Sequence, residues 1–319
     1  MRGTSLRSAG LVGLIGLIAA CTTGAPSPTS AGAPSAAPSA AAPTSARSAP
    51  AGSAETSNDL LADLDVGGRK MHILCVGPSD PGRPTVVFES GLGGDAGQWS
   101  DVMHELGGTV RACSYDRAGV GQSEPATVGR TTNDQVADLR ALLTAADVKP
   151  PYVLVGFSLG GWNVMVHEDA YPDDVVGAVM VDVRPPAASA RWLEALPVES
   201  ATESEAIKMA RAESTTFDTD PTLNPEGLRL GDSATEAIET DGFGDKPLIV
   251  LAAANTAAIS AGFEPELGAE LERIWWELQD ELVSRSSKGR LVKVEDTEHE
   301  IPFERPDAVA DAIRDALGD

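Results

Sequence analysis

The segment YVLVGFSLGGWNVMVHEDAYP, Tyr152 to Pro172, joins an apolar run to a helical pattern through a turn that contains Ser158. A short apolar run bounded by glycine predicts a buried strand. That strand leads directly into a helix, and the turn between them holds three glycines and one serine. A turn that only connected two elements would need fewer glycines, so the pattern indicates a further purpose.

Residues Gly156 to Gly160 fit the pattern G-x-S-x-G, and a strand before it and a helix after it are the context that this pattern requires. A sharp turn here puts Ser158 in a strained backbone conformation, and side chains at Gly156 or Gly160 would collide with neighbouring elements. The serine hydroxyl then projects above the sheet. The helix offers its positive N-terminal end and the free backbone N–H of Leu159 to a developing negative charge. The pattern therefore predicts that Ser158 is a nucleophile.

Short β-rich runs alternate with helical stretches along the chain, which is typical of parallel strands covered by helices on both faces. The predicted strands are Lys70–Gly77, Thr85–Ser90, Val110–Asp116, Tyr152–Phe157, Val175–Val183, Pro247–Ala254 and Arg290–Asp296. Residues 184–245 break this rhythm with many charges, short amphipathic pieces and no convincing strand. An insertion of that length between two strands predicts a lid.

Three further segments, in the expected order, resemble those of the α/β-hydrolase superfamily. They are FESGLGGDAGQW after the second predicted strand, YDRAGVGQS after the third, and DTEHEIPFERPDAVADAI before the last helix. The resemblance covers about Leu60 to Leu317. It implies an α/β fold, with a mostly parallel central sheet flanked by helices and a helical cap at 184–245 inserted before the penultimate core strand.

The glycine-rich segment resembles the family's oxyanion loop, which usually begins with histidine but here begins with Ser90. By this resemblance, the backbone N–H of Leu92 lies beside that of Leu159 in an oxyanion hole. A serine hydroxyl also needs a base, and imidazole has a pKa suited to that work. Of the four histidines, only His299 lies in the segment that resembles the family's histidine loop, so His299 is the predicted base.

The acid of such a site usually follows the penultimate strand, where this chain has Asn255 and Thr256. Some relatives, certain haloalkane dehalogenases among them, carry the acid one strand earlier. Asp182 ends that earlier strand and is the predicted acid, because a buried carboxylate there can hold the imidazole tautomer and stabilise its cation. An aspartate that only anchors the start of the lid is the structural alternative, and Glu264 or Glu266 is the next candidate acid.

The resemblance implies a serine hydrolase that cleaves an ester or related acyl bond through an acyl-enzyme, with no cofactor and no metal. Two alternatives stay open. A catalytically inactive binding protein with the same fold is suggested by the missing acid after the penultimate strand. A cofactor-free perhydrolase or haloperoxidase-like enzyme would use the same residues.

The N-terminus combines two arginines, an apolar run and the sequence Ile18-Ala19-Ala20-Cys21. This pattern predicts a signal peptide at 1–20, and its last residues resemble a bacterial lipobox. By that resemblance Cys21 carries the lipid that anchors the protein to the outer face of the cell membrane. An ordinary secretory signal is the alternative. Residues 21–57, rich in Ala, Pro and Ser, predict a disordered tether before the catalytic domain at 58–319.

Two cysteines of this domain lie in predicted strands. In the α/β-hydrolase fold the runs that contain Cys75 and Cys113 become neighbouring strands, and an oxidising compartment permits a disulfide between them. Two buried free thiols are the alternative.

The chain has 48 acidic and 24 basic side chains, a net charge of −24. This charge disfavours nucleic acid as a partner. The resemblance to the α/β-hydrolases implies a small acyl substrate as the expected partner.

Overall fold

The structure, a computed structural model, describes residues 59–319. The predicted signal peptide at 1–20, the lipidation site Cys21 and the tether at 21–57 lie outside the described residues, so they stay predictions. Within residues 59–319, no helix combines the length and the apolar character that crossing a membrane requires.

The central element of the fold is one eight-stranded sheet with the strand order β1-β2-β4-β3-β5-β6-β7-β8. Its strands are β1 Leu60–Asp65, β2 Lys70–Val76, β3 Thr85–Glu89, β4 Ala112–Tyr115, β5 Tyr152–Phe157, β6 Val175–Val181, β7 Gly244–Ala253 and β8 Ser286–Val294. The β1/β2 and β2/β4 pairs are antiparallel and all the other pairs are parallel. The predicted fold class is confirmed.

Helices lie between most of the strands. They are α1 Ser100–Glu105, α2 Thr132–Ala145, α3 Gly160–Ala170, α4 Ala188–Ala195, α5 Glu205–Ala212, α6 Leu230–Ile238, α7 Ala257–Ser260, α8 Pro265–Ser284, α9 Ile301–Glu304 and α10 Pro306–Leu317. A π-helical turn, Glu213–Phe217, continues α5, and 3₁₀ turns occur at Ala96–Trp99, Pro172–Asp174 and Pro221–Leu223.

Strand β5 shows why the central apolar run folds as it does. Alternate residues of the strand point to opposite faces of the sheet. Leu154 belongs to the core cluster that includes Leu139, whereas Val153 and Val155 belong to the cluster that includes Ile313. Both faces are covered by helices, so the strand is apolar at every position, as buried parallel strands usually are.

The first strand, β1, is not among the strands predicted from the sequence. It lies at the sheet edge, where its residues alternate between half-buried and exposed. Next to it, Cys75 on β2 and Cys113 on β4 stand directly opposite each other in the antiparallel register. The two cysteines are joined by a disulfide.

The insertion between β6 and β7 consists of two parts with different supports. The first part packs on α8, where the rings of Trp192 and Trp275 lie 6.2 Å apart. The second part is hydrogen-bonded to the body of the domain. The Gly129 N–H donates to Gly227 O at 2.7 Å, and the Arg229 N–H donates to Arg130 O at 2.9 Å. The first part of the cap is therefore helical and packs on α8, and the second part is fixed beside α2.

His167 on α3 gives the fold a measurable pH dependence. Its ring is buried between Tyr152 and Tyr171, and neither ring nitrogen has a hydrogen-bond partner among residues 59–319. Burial, assisted by the positive charge of Arg140, lowers the pKa of His167 to about 4. In the unfolded chain the pKa is about 6.5. Below about pH 6.5 the unfolded chain therefore binds a proton that the buried ring does not bind. The free energy of unfolding is unaffected by this ring above that pH and decreases as the pH falls towards 4.

We predict that the free energy of unfolding falls between pH 7 and pH 4.5 by about 2–3 kcal/mol more in the wild-type protein than in the His167→Phe variant. The reason is that only the wild-type chain can bind this proton when it unfolds. Urea unfolding at a series of pH values measures the difference. Parallel pH curves for the two proteins would contradict the prediction.

Candidate active site

Ser158 occupies the turn between β5 and α3 with a φ of +52°, in the left-handed region that non-glycine residues seldom adopt. Its backbone N–H donates to Val181 O at 3.1 Å, which ties the turn to the end of β6. The residue is partly exposed, and within residues 59–319 no hydrogen bond joins its hydroxyl to another protein group. Tertiary contacts thus hold a strained backbone that presents an unpaired hydroxyl.

The glycines of this turn permit a very close approach to β3. A Cβ atom on Gly160 would lie 2.2 Å from Glu89 O and 2.6 Å from Ser90 O. A Cβ atom on Gly156 would lie 2.7 Å from Gly160 O. Because these contacts are with backbone atoms, no side-chain movement could relieve them, and glycine is required at both positions.

The loop after β3 passes directly beside the serine. A Cβ atom on Gly91 would lie 3.5 Å from Ser158 Cβ. The next backbone N–H, that of Leu92, donates to no protein group in the described part of the chain, and neither does the N–H of Leu159 just before α3. Two unpaired donors therefore flank the serine, one from each of the segments that the sequence pattern indicated.

His299 lies in the loop after β8 and forms a hydrogen-bonded pair with Asp182, the residue that follows β6. The distance between His299 Nδ1 and Asp182 Oδ2 is 2.7 Å. The other carboxylate oxygen, Oδ1, accepts the Ala253 N–H at 2.9 Å, and the Asp182 residue is only 2% exposed. Because a carboxylate accepts the Nδ1 proton, it holds the neutral ring in the tautomer whose Nε2 is free to accept a proton.

The histidine lies above the strand that leads to Ser158. Its ring packs on Phe157, the residue before the serine, with 4.7 Å between ring centroids. No hydrogen bond joins His299 to the Ser158 hydroxyl in the described structure. Such bonds are often long before substrate binds.

The alternative acids do not contact His299. Glu264 and Glu266 lie exposed at the start of α8. Asn255 stands after the penultimate strand, where relatives carry the acid, and its side chain instead accepts the Ala257 N–H at 3.1 Å and donates to Glu298 at 3.2 Å. The structure thus brings Asp182 to the imidazole from one strand earlier.

A buried arginine holds the loop that follows β3. Arg117 donates to the carbonyl oxygens of Ser90 at 2.6 Å and Gly91 at 2.5 Å. It also donates from Nε and Nη2 to the carboxylate of Glu226, at 2.7 and 2.6 Å. Burial alone would lower the arginine pKa, but the charges of Glu226 and Glu89 raise it above its ordinary value. Arg117 therefore stays a cation inside the protein.

Sequence reasoning missed Glu226. This cap residue also accepts the Gly93 N–H at 2.7 Å and a Gln135 side-chain N–H at 2.7 Å. Its partners are distant in sequence, and nothing distinguishes it from the other acidic residues of the insertion. Through Arg117, Glu226 is linked to the carbonyl groups of the loop after β3.

Comparison with known proteins supports this picture of the fold. The sequence profile of the "Alpha/beta hydrolase family" matches residues 86–312. The protein YqjL of Bacillus subtilis is 29% identical over 232 residues, which cover 72% of this chain and 82% of YqjL.

Two solved structures resemble the fold over most of their length. An esterase from Thermogutta terrifontis superposes with a TM-score of 0.53 at 19% identity, covering 82% of this chain and 98% of the esterase. A probable hydrolytic enzyme from Pseudomonas aeruginosa gives 0.56 at 20% identity, covering 82% and 95%. At this level of identity the structural likeness concerns the fold alone.

We predict that Gly160→Ala lowers the free energy of unfolding by about 1–3 kcal/mol, because the added methyl group meets the carbonyl oxygens at the end of β3. Urea unfolding measures the loss. The control is Gly82→Ala, where the nearest atom to the new methyl group would be an Asp80 carboxylate oxygen at 3.4 Å. Equal stability of the two variants would contradict the prediction.

Proposed function

Because the chain belongs to the α/β-hydrolase family, we propose that it is a serine hydrolase that cleaves an ester or related acyl bond through an acyl-enzyme. The observation that carries this proposal is the hydrogen bond between His299 and Asp182, on a ring packed against the residue next to Ser158. The hydrolase fold supports bond cleavage by water, while the identity of the nucleophile and of the bond is our proposal.

In the proposed first half-reaction, Ser158 Oγ attacks the substrate carbonyl carbon and His299 Nε2 takes the hydroxyl proton. Asp182 stabilises the resulting imidazolium. The negative charge that forms on the substrate oxygen is bound by the N–H groups of Leu92 and Leu159. When the tetrahedral adduct collapses, the leaving alcohol departs with the proton from His299 and the acyl group stays on the serine.

In the second half-reaction, water takes the place of the serine hydroxyl. His299 removes a proton from the water as it attacks the acyl carbon, and the same two N–H groups hold the oxyanion. The acid leaves when the proton returns to Ser158 Oγ. Each step uses groups of this chain, the substrate and water.

The binding-protein alternative rested on the missing acid at Asn255. Asp182 contacts the imidazole from the preceding strand, so that reason no longer favours an inactive protein. The perhydrolase or haloperoxidase-like alternative uses the same residues, and no observation favours it over hydrolysis.

We predict that Ser158→Ala lowers kcat/KM for short p-nitrophenyl esters by about 10⁴-fold or more, and that Asp182→Asn lowers it by about 10²–10⁴-fold. The first change removes the attacking oxygen, and the second removes the acceptor that sets the tautomer. Ester hydrolysis followed by nitrophenolate absorbance measures both.

Glu264→Gln and Glu266→Gln are the matched carboxylate controls, and both are expected to hydrolyse these esters within about twofold of wild type because neither side chain contacts the site. Wild-type rates in Ser158→Ala would refute the proposed nucleophile. Wild-type rates in Asp182→Asn, with a loss in either glutamate variant, would reassign the acid.

The proposed location is the outer face of the cell membrane, with the domain anchored by lipid on Cys21. The pattern at 1–21 supports this proposal, and the Cys75–Cys113 disulfide is of a kind that persists in oxidising compartments.

We predict that Cys21→Ser releases the exported protein from the membrane fraction, because the thiol is the atom that would accept lipid. Wild-type and variant proteins expressed in a bacterium that processes lipoproteins are compared by detergent phase partitioning and by mass of the N-terminal peptide. Wild-type protein free in the medium without added lipid mass would show an ordinary secretory signal instead.

A further inference from the structure

We propose that Glu226, a cap residue, is a positioning residue that acts with Arg117 to fix the direction of the Leu92 N–H. This inference rests on the proposed function, in which that N–H binds the oxyanion. The cap would then contribute to the oxyanion hole.

The peptide unit between Gly91 and Leu92 is planar. The carbonyl of Gly91 and the N–H of Leu92 belong to the same trans peptide, so they point in opposite directions. Arg117 Nη2 donates to Gly91 O at 2.5 Å. A peptide held by its oxygen on one side presents its N–H on the other, and Arg117 therefore sets the orientation of the proposed oxyanion donor.

The next peptide unit, between Leu92 and Gly93, is held by the cap. The Gly93 N–H donates to Glu226 Oε1 at 2.7 Å, and Gly93 has a φ of +74°. Leu92 is therefore bracketed, with the peptide before it held by Arg117 and the peptide after it held by Glu226. The Gly91 N–H is held as well, by Gln98 Oε1 at 2.8 Å.

Arg117 and Glu226, which hold these two peptide units, are joined by a buried ion pair. The side chains of Arg117 and Glu226 are 2% and 1% exposed. Two nitrogens of the guanidinium meet the two oxygens of the carboxylate, a forked geometry that fixes both planes. Without the carboxylate, the buried guanidinium would lack its closest counter-charge, and we expect it to shift away from the Gly91 carbonyl.

The cap segment has supports that do not involve Glu226. The Gly129 to Gly227 and Arg130 to Arg229 backbone bonds lie beside it, and Asn224 accepts the Leu228 N–H at 3.0 Å. Loss of the Glu226 charge should therefore disturb the oxyanion loop more than it disturbs the seat of the cap. This separation makes the inference testable.

The test compares Glu226→Gln with wild type in ester hydrolysis and in inhibition by an aryl trifluoromethyl ketone. The ketone forms a hemiketal when a serine oxygen adds to its carbonyl carbon, the serine proton passes to the histidine, and the resulting oxyanion requires the two N–H donors. We expect kcat to fall by about 10- to 100-fold with KM changed less than about threefold, since a displaced donor affects the transition state. The inhibition constant should rise by the same factor as kcat/KM falls.

Two variants serve as controls. Glu236→Gln alters another cap carboxylate, which accepts the Asn133 N–H at 2.9 Å without touching the oxyanion loop, and it should keep wild-type kcat and inhibition. Glu226→Asp keeps the charge, should recover part of the loss, and serves as the informative variant if Glu226→Gln does not fold. Unfolding curves and active-site titration correct each rate for the folded fraction.

The outcomes separate the inference from the proposed function. If wild type neither hydrolyses esters nor binds the ketone, the proposed function fails. If wild type does both and the Glu226 variants match Glu236→Gln, or lose activity without weaker ketone binding, only the positioning role is refuted. A parallel loss of kcat/KM and ketone affinity supports it.

Discussion

The contact between two backbones, that of Gly160 and that of the end of β3, is the constraint on which the site depends. A methyl group on Gly160 would lie 2.2 Å from Glu89 O, so the two segments are closer than any side chain permits. This approach brings the loop after β3 beside the turn that carries Ser158. The N–H groups of Leu92 and Leu159 come from those two segments, and their common position follows from the same close contact.

Buried charged side chains also stabilise the end of β3, which Gly160 contacts. Glu89 is buried at the end of β3, where it accepts hydrogen bonds from Tyr115 at 2.8 Å and Asn163 at 3.0 Å. Burial raises the pKa of this carboxyl, and the nearby Arg117 opposes that shift. The same guanidinium reaches the loop carbonyls and the cap. A network of buried polar groups therefore connects the sheet, the loop and the insertion, and within it the opposite charges of Arg117 and Glu226 stabilise each other.

The sequence predicted most of the fold because the signals were local. The run Tyr152–Phe157 is apolar at every position, and the turn after it needs glycine where backbones meet. The edge strand β1 was missed because its half-buried alternation is weak. Asp182 could be suggested from its place at a strand end, but its pairing with His299 joins residues 117 positions apart. Glu226 had no local signal at all, since its partners come from three separate segments of the body.

The position of the first strand determines where the N-terminal segment enters the domain. Because β1 is antiparallel to β2, and β2 is antiparallel to β4, β1 runs in the same direction as the parallel strands. Through the registers of β2, β4 and β3, Leu60 is level with Leu154 on β5, four residues or roughly 13 Å along the strand before Ser158. In the anchored protein that we propose, the tether would join the domain at this edge strand, with β2, β4 and β3 between it and β5, so the attachment point is separate from the turn that carries Ser158.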